Sequence, residues 1–157
     1  MYLIGTINGS LRTVLWKGCQ VMNEEDIALI QFSWNRLVGK EEACINRFYR
    51  FLFDAHPEYE SLFLKGIESQ RLKFITMLNV IVNGLEHLDA LKTPLAELGR
   101  KHKHLNINLG DYDEVTKMLI DAIDEVSPKP LSDMERSAWT KGLALVSSIM
   151  DEESRNQ

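Results

Sequence analysis

Leu98-Gly99-Arg100-Lys101-His102 sets a histidine in line with a row of leucines. Leu98, Leu95 and Leu91 precede His102 by four, seven and eleven residues, which puts all of them on one face of a helix. An imidazole in such a stripe is costly to bury unless its ring nitrogens are engaged. Two readings stand open on this pattern: a core histidine bonded to a backbone carbonyl, or a metal or haem ligand pointing into an apolar slot. The helix should begin near Leu88 to Leu91, with Pro94 in its first turn, and fade by Asn106 and Asn108.

Working outward, the preceding stretch predicts a long helix from about Ser69 to Glu86. Phe74, Met77, Leu78, Ile81 and Leu85 share one of its faces, and Gln70 is a polar amide at the start of that face. Lys73 falls off the stripe. Before it, Glu41 to Asp54 carries Ile45, Phe48, Tyr49, Leu52 and Phe53 at helical spacing, and Pro57 opens a short turn through Tyr59, Leu62 and Phe63. Asn23 is an N-cap for a helix with Glu24, Glu25 and Asp26 in its first turn, closed by Gly39. Its buried stripe is Ile27, Ile30, Trp34 and Leu37.

Beyond His102, Gly110 and Asp111 punctuate the chain. Tyr112, Val115, Leu119, Ala122, Ile123 and Val126 then define another helix, stopped at Ser127-Pro128-Lys129-Pro130. Ser132 with Glu135 forms a capping-box pattern for the last helix, whose stripe runs Ala138, Trp139, Gly142, Leu145, Val146, Ile149. Residues 1 to 22 have no steady period and read as an extension; residues 153–157 read as a polar tail that frays. No segment reads as a strand. The expected class is all-α, with helices joined by short connections.

The 157 residues suit one domain with a sizeable core. A net charge of -5 argues against a general nucleic-acid partner, because no basic field would hold phosphates. No apolar run is long enough for a membrane span, and the first residues are too polar for a secretory leader. Two cysteines, Cys19 and Cys44, make no disulfide framework, which fits a cytoplasmic setting. No Ser-His-Asp, HExxH, P-loop or paired-carboxylate arrangement is visible. His104 should face solvent, His87 should sit at a helix end, and His56 at a bend before Pro57.

Taken together, Phe48-Tyr49, Leu52-Phe53, His56-Pro57-Glu58, Leu62-Phe63, Gln70 with Lys73, Met77-Leu78, Leu98 to His102, Tyr112 to Val115 and Ala138-Trp139 form a familiar series. In that order and spacing the chain resembles the globins, most closely the bacterial single-domain globins and the globin half of flavohaemoglobins. The resemblance covers about Glu24 to Met150 and implies a globin fold around a haem pocket, with a globin domain at 23–152. It implies that His102 is the proximal ligand of the haem iron and that Phe63 packs on the porphyrin. Tyr49 and Gln70 match the distal pair, Phe74 the apolar distal residue, and Tyr112 a tyrosine on the proximal side. Ile107 and Val115 match apolar contacts to the haem edge.

The implied cofactor is haem b, held non-covalently since no CxxCH is present. The implied function is reversible binding of oxygen and other diatomic gases at a five-coordinate iron. Conversion of nitric oxide to nitrate would draw on an external reductase as partner. The alternative function is a gas or redox sensor acting through a partner protein. One departure stands out: flavohaemoglobins carry a glutamate late in the last helix that bonds the proximal histidine, and that place falls here on Ser154.

Overall fold

The structure, a computed structural model, describes residues 4–7, 11–16, 19–63, 66–105 and 110–155. From Asn23 onward these fold as six α-helices and one short 3-10 helix. They are α1 (Glu24–Asn35), α2 (Glu41–Ala55), the 3-10 helix Pro57–Phe63, α3 (Ile67–Gly84), α4 (Leu88–His104), α5 (Gly110–Val126) and α6 (Asp133–Arg155). The all-α class expected from the periodicity is the class observed for this body of the chain.

Side-chain caps explain the starts of α1 and α6. Asn23 accepts a hydrogen bond from the Asp26 amide at 2.8 Å while its own amide donates to the Asp26 carboxylate at 3.2 Å. That reciprocal box satisfies two amides a free helix end would leave unpaired. Ser132 and Glu135 build the same box at α6, with bonds of 2.8 and 3.1 Å. Gly39, with φ of 82°, supplies the left-handed turn after α1. The last helix outruns the expected frayed tail and continues to Arg155. Arg155 meets Asp151 at 2.7 Å, an i,i+4 pair that favours the extra turn.

The core gathers where α6 packs on α4, α1 and α5, and where α2 packs on α5 and α3. Ile27, Ile30, Trp34 and Leu37 are all buried, as their spacing predicts. Trp34 and Trp139 meet edge to face with ring centroids 6.1 Å apart. Each indole N–H is satisfied: Trp34 donates to Asn79 at 2.7 Å and Trp139 to Ser33 at 2.8 Å. These bonds tie α1 to α3 and to α6 without leaving a buried donor unpaired. At Gly142 an added Cβ would lie 2.8 Å from Ile30 Cδ1, so a larger residue there would push the end of the Ile30 side chain aside where α1 and α6 meet.

The N-terminal segment departs from the expectation that nothing there reads as a strand. β1 (Ile4–Ile7), β2 (Leu11–Trp16) and β3 (Cys19–Asn23) form an antiparallel sheet in the order β1-β2-β3. Ile7 pairs with Leu11, Thr13 with Asn23 and Trp16 with Cys19, with an irregularity at Val14/Leu15. β3 runs directly into α1 and packs on α6. Met22, at its end, is 1% exposed and belongs to the main core.

Two polar links join elements far apart in sequence. His56 closes α2; its Nδ1 lies 3.1 Å from Glu58 and its Nε2 2.9 Å from Glu114 on α5. With a carboxylate at each nitrogen the ring donates from both, so its pKa is raised, first by Glu114 and then by Glu58. His56 also stacks on Tyr59. The bend before Pro57 is thereby fastened to α5.

The second link is the Arg36 fork on Glu135, with bonds of 2.6 and 3.2 Å between α1 and α6. Glu135 is buried, and the Arg36 hydrogen bonds hold its carboxyl down to about 2, against the opposing pull of burial. A depressed carboxyl pKa contributes stability that is fully present above the unfolded value, near 4.5, and is lost as pH falls through about 2. Glu135→Gln should therefore destabilise the protein by on the order of 3 kcal/mol at neutral pH. It should also flatten the fall in stability between those two pH values. Urea midpoints measured across pH check this; a variant with the wild-type midpoint at pH 7 would show that the fork contributes nothing net.

Candidate functional site

Tyr49 lies in the middle of α2, 4% exposed, within a shell of aromatic rings. Its ring centroid is 5.4 Å from Phe63, 5.6 Å from Phe53 and 6.1 Å from Phe74. Phe74 also meets Phe48 at 5.0 Å, so α3 is keyed to α2 through aromatic edges. Burial pushes the Tyr49 phenol up to about 12, against a side-chain hydrogen bond with Gln70 and the charge of Arg71. The hydroxyl therefore stays protonated, and available as a donor, through the whole neutral range. The first turn of α3 thus delivers Gln70 to Tyr49, as two helix faces that pack together should.

His102 lies near the end of α4, half-buried, with Nδ1 2.8 Å from the Leu98 carbonyl one turn earlier. A carbonyl only accepts, so Nδ1 carries the proton and Nε2 keeps its lone pair. Burial lowers the His102 pKa, opposed by the Leu98 bond, which favours the neutral ring a metal needs. The leucine stripe behaves as its spacing implies: Leu91 and Leu95 are buried, and Leu98 packs against the core. The Tyr112 ring is tilted against His102, with centroids 6.1 Å apart. Burial, and then the charge of Asp151, raise the Tyr112 pKa. Val115, one turn further along α5, is half-buried against the core.

The structure thus brings together Tyr49, Gln70, Phe63 and Phe74 in one cluster and His102 with Tyr112 in another. Their helices pack on one another, α2 on α3 and α5, and α3 on α4. Ile107 lies outside the described residues. His104 is exposed, and so is His87 at the start of α4. Lys73 is exposed as well. Reading the sequence passed over two residues. Arg71 acts on Tyr49 through space and is hinted at only by following Gln70. Asp151, one turn before Ser154, is the carboxylate that acts on Tyr112.

A porphyrin with an axial base fits this donor set. His102 has one nitrogen engaged and one lone pair to give. Phe63, Phe74, Leu98, Tyr112 and Val115 are half-buried, packed on the core yet retaining apolar surface for a flat ligand. A groove of about 630 Å³ runs along α5 and α6 with Tyr112 in its wall, together with Asp113, Lys117, Arg136 and Asp151. Among the described residues no cluster of three His, Cys, Asp or Glu side chains could hold a bare metal ion. No described helix is long and apolar enough to cross a membrane.

A family model described as Globin matches residues 46–150. The chain is 28% identical over 131 residues to a flavohemoprotein of Halalkalibacterium halodurans, covering 82% of this chain and 32% of that protein. It thus spans about a third of the length of the curated relatives it matches. Among solved structures, an engineered carbene transferase, derived from a candidate nitric oxide dioxygenase of Rhodothermus marinus, superposes with a TM-score of 0.75. That pair is 22% identical, and the match covers 85% of this chain and 93% of the other. A bacterial globin from Campylobacter jejuni superposes with a TM-score of 0.74 at 19% identity, over 85% and 96% of the two chains.

Proposed function

The chain belongs to the globin family, whose members bind haem and interact with gases, and from that premise we propose that it binds oxygen and other diatomic gases at a five-coordinate haem b. His102 supplies the axial nitrogen. Tyr49 and Gln70 face the open side as paired donors, and Phe63, Phe74, Tyr112 and Val115 enclose the ring. Ile107 belongs to the same set by its place in the family pattern. The haem, held non-covalently, supplies a ferrous iron that takes the gas and can give up one electron. The observation that carries this reading is the buried Tyr49 phenol hydrogen-bonded to Gln70 within its aromatic shell.

A neutral donor pair stabilises a ligand that gains negative charge on binding. The same pair would suit the oxidation of nitric oxide to nitrate, for which the haem, when bound, would supply the oxygen and one electron. A reductase would be needed to return that electron. On the proposed proximal side the charge of Asp151 acts on Tyr112.

The test is nitrate production. Oxygenated protein mixed with nitric oxide should yield one nitrate per haem in a single turnover, and many when a flavin reductase and nicotinamide are added. Absence of nitrate in the single-turnover mixture overturns the dioxygenase part and leaves gas binding.

A further inference from the structure

His56 joins two elements that carry walls of the proposed haem slot. It closes α2 just before the 3-10 helix that ends in Phe63, and its Nδ1 lies 3.1 Å from Glu58 on that helix. Its Nε2 lies 2.9 Å from Glu114, near the start of α5. Glu114 stands two residues after Tyr112, whose ring is 6.1 Å from that of His102, and one before Val115. Phe63 in turn lies 5.4 Å from Tyr49. One imidazole thus ties the segment that carries Phe63 to the helix end that carries Tyr112. Bonding a carboxylate at each nitrogen takes two ring protons, so both bonds exist only while the ring is charged. A neutral ring donates from one nitrogen and turns a lone pair toward the other carboxylate. α2 and α5 meet again further along, where Arg47 pairs with Glu125 at 3.1 Å, a link that involves no histidine. Loss of the His56 proton therefore loosens the start of α5 while its far end stays tied.

We propose that His56 is a positioning residue for the haem slot: charged, between Glu58 and Glu114, it holds the start of α5 and with it Tyr112 against His102, and on losing its proton it lets that wall open. The inference rests on the haem reading above. The charges that act on the ring are Glu114 of α5 and Glu58 of the 3-10 helix; among the described residues α2 contributes none. Their bonds, Glu114 first, raise the ring above its ordinary 6.5. The strap is therefore fully closed below 6.5 and is lost as pH rises through the raised value. Competition of protons for the axial nitrogen of His102 has the opposite sign, since it would quicken haem loss as pH falls.

The experiment follows haem transfer from the ferric holoprotein to a haem-scavenging apoprotein between pH 6 and 9, and titrates His56 by NMR in the diamagnetic carbon monoxide complex. His56→Phe keeps a ring to stack on Tyr59 and donates no hydrogen bond. At pH 6 it should lose haem on the order of threefold faster than wild type, the modest size expected of a link to exposed carboxylates. At pH 9 the two rates should meet, and the pH at which they converge should match the His56 titration. Glu114→Gln should lower the His56 midpoint and lose haem faster than wild type at pH 6. A rate ratio that stays constant with pH would show that the ring acts by packing alone, and a ratio of one throughout would show no link to the slot; either overturns the inference. If His56→Phe does not fold, Glu114→Gln, altered at an exposed side chain, decides: haem loss at the wild-type rate at pH 6 overturns it. A wild type that takes up no haem overturns the function reading and this inference together. Normal haem uptake with a ratio that ignores pH overturns this inference alone.

Discussion

His102→Ala should leave the protein folded and nearly free of haem. The argument starts from the Leu98 carbonyl, 2.8 Å from Nδ1. That bond fixes which nitrogen carries the proton and how the ring is turned, as partners of metal-binding histidines do. It leaves Nε2 as the one basic nitrogen on a half-buried ring whose pKa burial has lowered. The rest of the slot offers apolar contact and no second base of this kind, since His104 and His87 are exposed and His56 is clamped between two carboxylates. Without the axial bond, hydrophobic contact alone must hold the ring. Haem per protein should fall at least about tenfold, which is about 1.4 kcal/mol of binding energy or more. Added imidazole, filling the space left by the ring, should restore part of the absorbance. The haem absorbance of purified variant and wild type at equal protein concentration decides the matter. A His102→Ala protein with normal haem content and an unchanged spectrum would remove His102 from the iron.

The helices were legible because each carries its apolar stripe at helical spacing, and the first and last have a readable cap. Asn23–Asp26 and Ser132–Glu135 cap as their side chains allow. Tyr49, Gln70 and His102 stood out for the same reason, each a polar group set in an apolar row. The N-terminal sheet was not legible. Its strands are only 4 to 6 residues long, and so short an apolar run does not distinguish strand from helix by period. The signal that could have revealed them is the turn chemistry between them, Asn8-Gly9 and Lys17-Gly18. Arg71 escaped notice because its environment exists only once α3 lies on α2. Counting along α6 to Ser154 could not show which turn would bring a carboxylate to Tyr112. That depends on how α6 packs on α5, and the charge acting there is on Asp151.

Tyr49→Phe should speed oxygen release on the order of ten- to a hundredfold, and Gln70→Leu should do less. A hydrogen bond to a charged partner is worth roughly 1.5–3 kcal/mol, and loss of that energy from the bound state alone gives a factor of this size. The two donors differ in how well they are held. Tyr49 is 4% exposed and meets four phenylalanine rings, so its hydroxyl has little freedom to lose on meeting a ligand. Gln70 is half-buried in the first turn of α3, with more rotamers to freeze. The Tyr49 phenol ionises only at about 12, so its donor role should not change with pH between 6 and 9. Removing the hydroxyl also leaves the Gln70 amide without that partner, and the amide can then turn toward the ligand. That places the expected effect nearer the lower end of the range. Carbon monoxide carries little negative charge on its oxygen and serves as the control for packing. Phenylalanine keeps the ring and its contacts, so carbon monoxide release should change little. Stopped-flow release of both gases from wild type, Tyr49→Phe and Gln70→Leu separates the effects. An unchanged oxygen rate in Tyr49→Phe, or equal acceleration for the two gases, would show that the phenol orders the pocket without bonding the ligand.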